Sequence, residues 1–136
     1  MKRDVYSGTL KLYGKEHKDT LTEAYNYACS LLKVGRFEEA RSVLRENILV
    51  GRRVLGEGDD LTLSMRANYA LALHVDDSAT IDDLREAVTT LEDTERIARR
   101  VLGGAHPLTS AIEGDLQKLR AGPVAGRRLA VLNTHS

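Results

Sequence analysis

The chain has 136 residues, Lys plus Arg equal Asp plus Glu at 20 each, and Cys29 is its single cysteine. A formal charge of zero leaves no global field to recruit nucleic acid or an anionic membrane, and one thiol cannot close an internal disulfide. No apolar run is long enough to span a bilayer, and the opening MKRDVYSGTLKLYG carries no signal-like stretch. The expectation is one soluble, cytoplasmic domain with neither a membrane nor a nucleic-acid partner.

With five Tyr, one Phe, no Trp and two Pro, against abundant Leu, Ala and Arg, the composition favours helices. No alternating Val/Ile/Thr run supports a strand. In chain order, residues 5–13 read as part of a helix whose partner is absent. Residues 19–55 hold a first helix pair. Asp19 or Thr20 caps its opening helix, with Glu23 completing a capping box, and Leu21, Ala24, Ala28, Leu31 and Leu32 recur at helical spacing to about Val34. Gly35 turns the chain, and a second helix runs from about Phe37, with Ala40, Val43, Leu44, Ile48 and Leu49 on one face, until Leu55-Gly56 stops it. Residues 59–102 hold the second pair, capped by Asp59 or Asp60 and reopened by Thr80 with Asp83. Residues 106–120 form a final half unit in which Pro107 suits the first helical turn. The tail, 122–136, breaks the pattern; it is expected to be loosely ordered or to dock its Leu129-Val131-Leu132 patch on a neighbour.

The chain repeats itself. LYGKEHKDTL (Leu12 to Leu21), VLGEGDDLTL (Val54 to Leu63) and VLGGAHPLTS (Val101 to Ser110) place Gly14, Gly56 and Gly103 in one slot and Thr20, Thr62 and Thr109 in another. The spacing is 42 from position 14 to 56 and 47 from 56 to 103. Asn26-Tyr27-Ala28 matches Asn68-Tyr69-Ala70, Leu31 matches Leu73, and Glu39-Ala40 matches Glu86-Ala87 once extra residues near 76–80 lengthen a loop or a helix end. A period in this range means stacked helices. The fold expected is all-α, an α-α superhelix of stacked antiparallel pairs with five to six helices, filling 1–121. Ala28, Ala40, Ala70 and Ala87 would allow close approach, while Leu31, Leu44, Leu73 and Leu91 fill the space between pairs. The unpartnered first helix implies either a longer array or a self-association edge at Val5, Tyr6 and Leu10.

The stretches Leu-Gly-x-x-His-Pro-x-Thr and Asn-x-Ala-x-x-Leu, with Gly35 to Ala40 (GRFEEA) and Arg52 to Gly56 (RRVLG), resemble tetratricopeptide repeats of the kinesin light chain type, whose unit is about 42 residues instead of ~34. The resemblance covers roughly residues 5–120. Lys18 departs from it in the first copy, Asp59-Asp60 in the second, and Asp115 stands where Asn26 and Asn68 would place Asn. It implies a right-handed superhelix whose first helices line a concave groove for a peptide or a helix of another protein, as in adaptors and scaffolds. Asn26 and Asn68 match the asparagine that reaches a ligand backbone in such repeats. Tyr25, Cys29 and Lys33 share that stripe, and Leu71, His74 and Lys118 continue it. An asparagine amide both donates and accepts, so it suits an extended main chain; it equally suits a bridge between neighbouring repeats. Cys29 also reads as an inert small hydrophobe, and the Arg pairs 52-53 and 99-100, with Glu92 before Arg96 and Glu95 before Arg99, read as solvated faces.

Chemistry is hard to find. None of His17, His74, His106 and His135 has a His or Cys three or four residues away, so no zinc pair exists. His17 and His106 share one helix-start slot, which argues for a structural role. No nucleophile elbow or phosphate loop is present, and paired Asp residues at helix starts serve capping and the helix dipole. The reading is a non-catalytic protein-interaction module without metal or cofactor, binding a protein or peptide ligand. The alternatives are a self-associating segment of a longer array, acting as a homo-oligomer through edge or tail, or the regulatory repeat part of an enzyme.

Overall fold

A computed structural model describes residues 2–121. The tail, with its Leu129-Val131-Leu132 patch, lies outside the described residues. Those described form six helices and no strand: α1 (Lys2–Tyr13), α2 (Lys18–Lys33), α3 (Phe37–Val54), α4 (Asp60–Val75), α5 (Ile81–Val101) and α6 (Pro107–Ala121). Each helix packs on the next along the chain. In addition α2 touches α4 and α4 touches α6, whereas α1, α3 and α5 make no comparable contact with one another. The architecture is therefore an all-α stack of helix pairs that closes up on its even-numbered side and opens on its odd-numbered side.

The repeat is written into the joints. Gly14, Gly56 and Gly103 all adopt positive φ, at +82°, +99° and +94°, a region that glycine enters without a side-chain penalty. Three residues later His17, Asp59 and His106 each cap an even helix by accepting a backbone N–H two positions on, at 3.0, 2.9 and 3.1 Å. The box expected at Thr20 and Glu23 does not form. His17 takes the cap, and Thr20 is fully buried with its hydroxyl donating to the Thr9 carbonyl at 3.3 Å. The box at Thr80 and Asp83 does form, with reciprocal bonds of 3.1 and 3.0 Å. The inserted residues divide between a longer turn (76–80 against 34–36) and a longer helix, 21 residues in α5 against 18 in α3.

Ala28, Ala40, Ala70 and Ala87 are all fully buried, as are Leu44 and Leu91, with Leu31 and Leu73 nearly so. α4 sits at the centre and buries nine side chains between Thr62 and Leu73, leaving the stripe of Leu61, Ser64, Asn68 and Leu71 partly uncovered. The apolar face expected on α3 is narrower than its sequence suggests. Leu49 is 63 % exposed because, at 100° per residue, it is turned about 140° from Leu44; Asn47, Val50 and Gly51 are buried instead.

Gly51 marks the closest approach of α3 to α4: a Cβ there would stand 2.9 Å from Met65 Cε and 3.2 Å from Thr62 Oγ1. Gly114 on α6 has open space where its Cβ would be. In urea denaturation, Gly51→Leu should therefore lose about 1–3 kcal/mol, whereas Gly114→Ala should gain up to ~1 kcal/mol from helix propensity alone. An unchanged midpoint for Gly51→Leu would mean that the two helices do not meet there.

Candidate functional site

Contact between the even helices lines up their partly exposed stripes. Thr22, Asn26, Cys29 and Lys33 share one face of α2, Leu61, Ser64, Asn68 and Leu71 the matching face of α4, and Ala111, Asp115 and Lys118 that of α6. At the α2–α4 junction, Asn68 Nδ2 donates to Cys29 Sγ at 3.2 Å. The Tyr25 phenol lies among Cys29, Asn68 and Ser64, and burial pushes its pKa up, with the neighbouring Cys29 adding to the rise. Asn26 Nδ2 donates to Glu23 Oε1 of its own helix at 3.3 Å. The two asparagines thus differ: Asn68 bridges neighbouring repeats, and Asn26 does not.

At the α4–α6 junction, His74 and Asp115 face each other, with Lys118 nearby. His74 is half-buried and its Nε2 is buried without a hydrogen-bond partner; burial lowers its pKa, opposed by the Asp115 carboxylate. Burial raises the Asp115 pKa, opposed by Lys118 and His74. Lys33 and Lys118 are exposed, and Leu71 is half-buried. A cavity of about 630 Å³ opens at the N-terminal ends of α2 and α4, lined by Lys18, Thr22, Leu61 and Ser64 beside the Gly58 to Asp60 turn. Sequence reasoning passed over Thr22 and Ser64, although each stands four residues before a singled-out asparagine and so on the same stripe.

The edge residues separate. Val5 and Leu10 are 47 % and 38 % exposed, but Tyr6 turns inward, its ring 6.0 Å from that of Tyr27, and its hydroxyl accepts from the buried Asn47 amide at 3.3 Å. Leu12, not singled out from sequence, is 78 % exposed. Of the expected charge pairs, Glu95 meets Arg99 at 2.8 Å, while Arg96 pairs with Asp93 and Glu92 with Arg120 of α6.

Among the described residues no group of three or more His, Cys, Asp or Glu side chains could hold a metal ion, and no helix is long and apolar enough to cross a membrane. No family model matches the chain, and no curated protein matches it significantly in sequence.

The Asp115 environment has a measurable consequence. Its folded pKa lies above its unfolded value, so the favourable contribution is present at pH below that unfolded value and is lost as pH rises through the folded one. Asp115→Asn, which restores the residue of the other two copies, should raise the thermal midpoint at pH 7 by a few degrees, on the order of 3 °C, and by less at pH 3.5. His74 acts in the opposite sense. Its depressed pKa makes the fold lose stability as pH falls through the ordinary histidine range, and because Asp115→Asn removes the carboxylate that opposes the depression, that loss should be larger in the variant than in wild type.

Proposed function

We propose that the chain is a non-catalytic, tetratricopeptide-like interaction module, an adaptor in the cytoplasm that holds an extended peptide or a helix of another protein on its even-helix face. The observation that carries this reading is the unbroken strip from the cavity at Lys18, Thr22, Leu61 and Ser64, through Asn26 and Asn68, to Leu71 and Lys118. Amides suited to a main chain alternate there with isolated apolar side chains that can sort ligand side chains. The resemblance to repeats of the kinesin light chain type, which would put Asn26 and Asn68 in a ligand-facing slot, supports the same reading. A strip only three helices wide gives affinity on the order of micromolar.

A second reading is favoured by α1. In α3 and α5 the slots of Val5 and Gly8 hold Asn47 and Val50, and Thr94 and Ile97, all buried, whereas Val5 is 47 % exposed. The outward side of α6 carries exposed Ser110 and Gln117 instead. Self-association between copies would therefore use the α1 edge and not the α6 end.

Selection of binders from a random peptide library, followed by fluorescence polarisation on the winners, separates the two. Asn26→Ala and Leu71→Glu should each weaken binding about tenfold or more, the ~1.4 kcal/mol of a well-made contact, while Leu49→Ser on the opposite side should not. Binders indifferent to all three would overturn the inner-face reading. A solution mass that doubles with concentration, and reverts in Val5→Glu, would put the edge in its place.

A further inference from the structure

Because α3 and α5 stay apart, the odd side of the stack opens over α4. A cavity of about 290 Å³ lies there, lined by Arg45, Arg52, Arg66, Tyr69 and Glu86, with Leu49 at its rim. Arg66 is unusual among its counterparts: the same slot holds Ala24 in α2 and Glu113 in α6, yet Arg66 is only 8 % exposed. A buried guanidinium persists only when its charge and its donors are met. Arg66 Nη2 donates to Asp93 Oδ2 at 2.5 Å, but Nη1 is buried and has no hydrogen-bond partner. Asp93 does not belong to Arg66 alone, since it also pairs with Arg96 at 3.1 Å.

Counted with every partner, four guanidiniums (Arg45, Arg52, Arg66 and Arg96) meet three carboxylates (Glu57, Glu86 and Asp93), so one positive charge is left over. Arg45 lies 5.6 Å over the Tyr69 ring and donates to the Tyr69 hydroxyl at 3.3 Å, and that hydroxyl donates in turn to Glu86. Arg52 pairs with Glu57 at the surface. Glu86 is the single carboxylate that lines the cavity itself, while Asp93 and Glu57 hold Arg66 and Arg52 from outside it. The volume suits one side chain or a small ion and is too small for a folded segment.

We propose that this outer cavity is an oxyanion site, with Arg66 as its buried anchor and Arg45 and Arg52 at its mouth, taking either a free phosphate ion or the carboxylate of a glutamate side chain presented by a peptide. A guanidinium offers a planar fork that matches both anions, and a ligand oxygen on Nη1 would complete the donor set that the chain leaves unmet. The site is separate from the even-helix face and stands whatever that face binds.

The test is a titration of the full chain, at matched ionic strength in chloride, with inorganic phosphate and in parallel with Ac-Ala-Glu-Ala-NH2, read by the Arg Nε–Hε NMR signals and by calorimetry. The expected result is a saturable shift of the Arg66 signal with at least one probe, weakened tenfold or more by Arg66→Met and by Arg52→Gln. Saturation by phosphate alone assigns a free ion, and saturation by the peptide assigns a presented carboxylate. Should Arg66→Met fail to fold, Arg52→Gln and Arg45→Gln carry the comparison. Unsaturable shifts with both probes, or saturable binding indifferent to Arg52→Gln and Arg45→Gln, would overturn the proposal.

Discussion

The joint between each odd helix and the next even one governs this structure. A glycine at positive φ ends the odd helix, a His or Asp caps the even one three residues on, and a threonine three residues after the cap is wholly buried. Thr20 reaches the Thr9 carbonyl near the end of α1, and Thr62 sits against Gly51 near the end of α3. A small side chain with a hydroxyl lets the first turn of one helix seat directly on the last turns of its predecessor, and repeating the joint repeats the angle. Contact between the even helices and separation of the odd ones both follow. So do the two surfaces with functional promise: the closed side presents a continuous strip, and the open side leaves a cavity floored by α4.

Stability is distributed unequally along such a stack, because each unit leans only on its neighbours. α4 is covered by α3 and α5 and touched by α2 and α6, while α1 buries none of its residues fully. Ion pairs span several joints, with Arg53 to Glu16, Arg99 to Glu113 and Arg120 to Glu92. All are solvent-exposed, so each contributes little energy, and their role is to favour one register between elements already packed by Leu and Ala.

The parts of the fold legible in the sequence are those that recur. Gly14, Gly56 and Gly103 mark the same joint three times, and the slot shared by His17 and His106 proves to be a helix cap in both copies. What stayed hidden depends on a single copy or on distance in three dimensions. Thr20 has the sequence signature of a cap, but burial against α1 claims its hydroxyl. Tyr6 reads as an edge residue until Tyr27 and Asn47 are seen to receive it. Leu49 follows its apolar neighbours in the sequence while the helix turns it outward. In the candidate face, helical spacing places Asn26, Cys29 and Lys33 together, but that Asn68 bridges to Cys29 while Asn26 turns to Glu23 depends on which helix lies next door. Arg66 was open to discovery, since Ala24 and Glu113 occupy its slot; its burial depends on the Asp93 carboxylate of another helix.

Residue-resolved hydrogen exchange tests the neighbour-dependent stack most directly. Amides in α4 should exchange most slowly, those of α2, α3 and α5 faster, and those of α1 and α6 fastest, because opening an end costs one interface and opening the centre costs all of them. Equal protection across all six helices, or slowest exchange in α1, would contradict it.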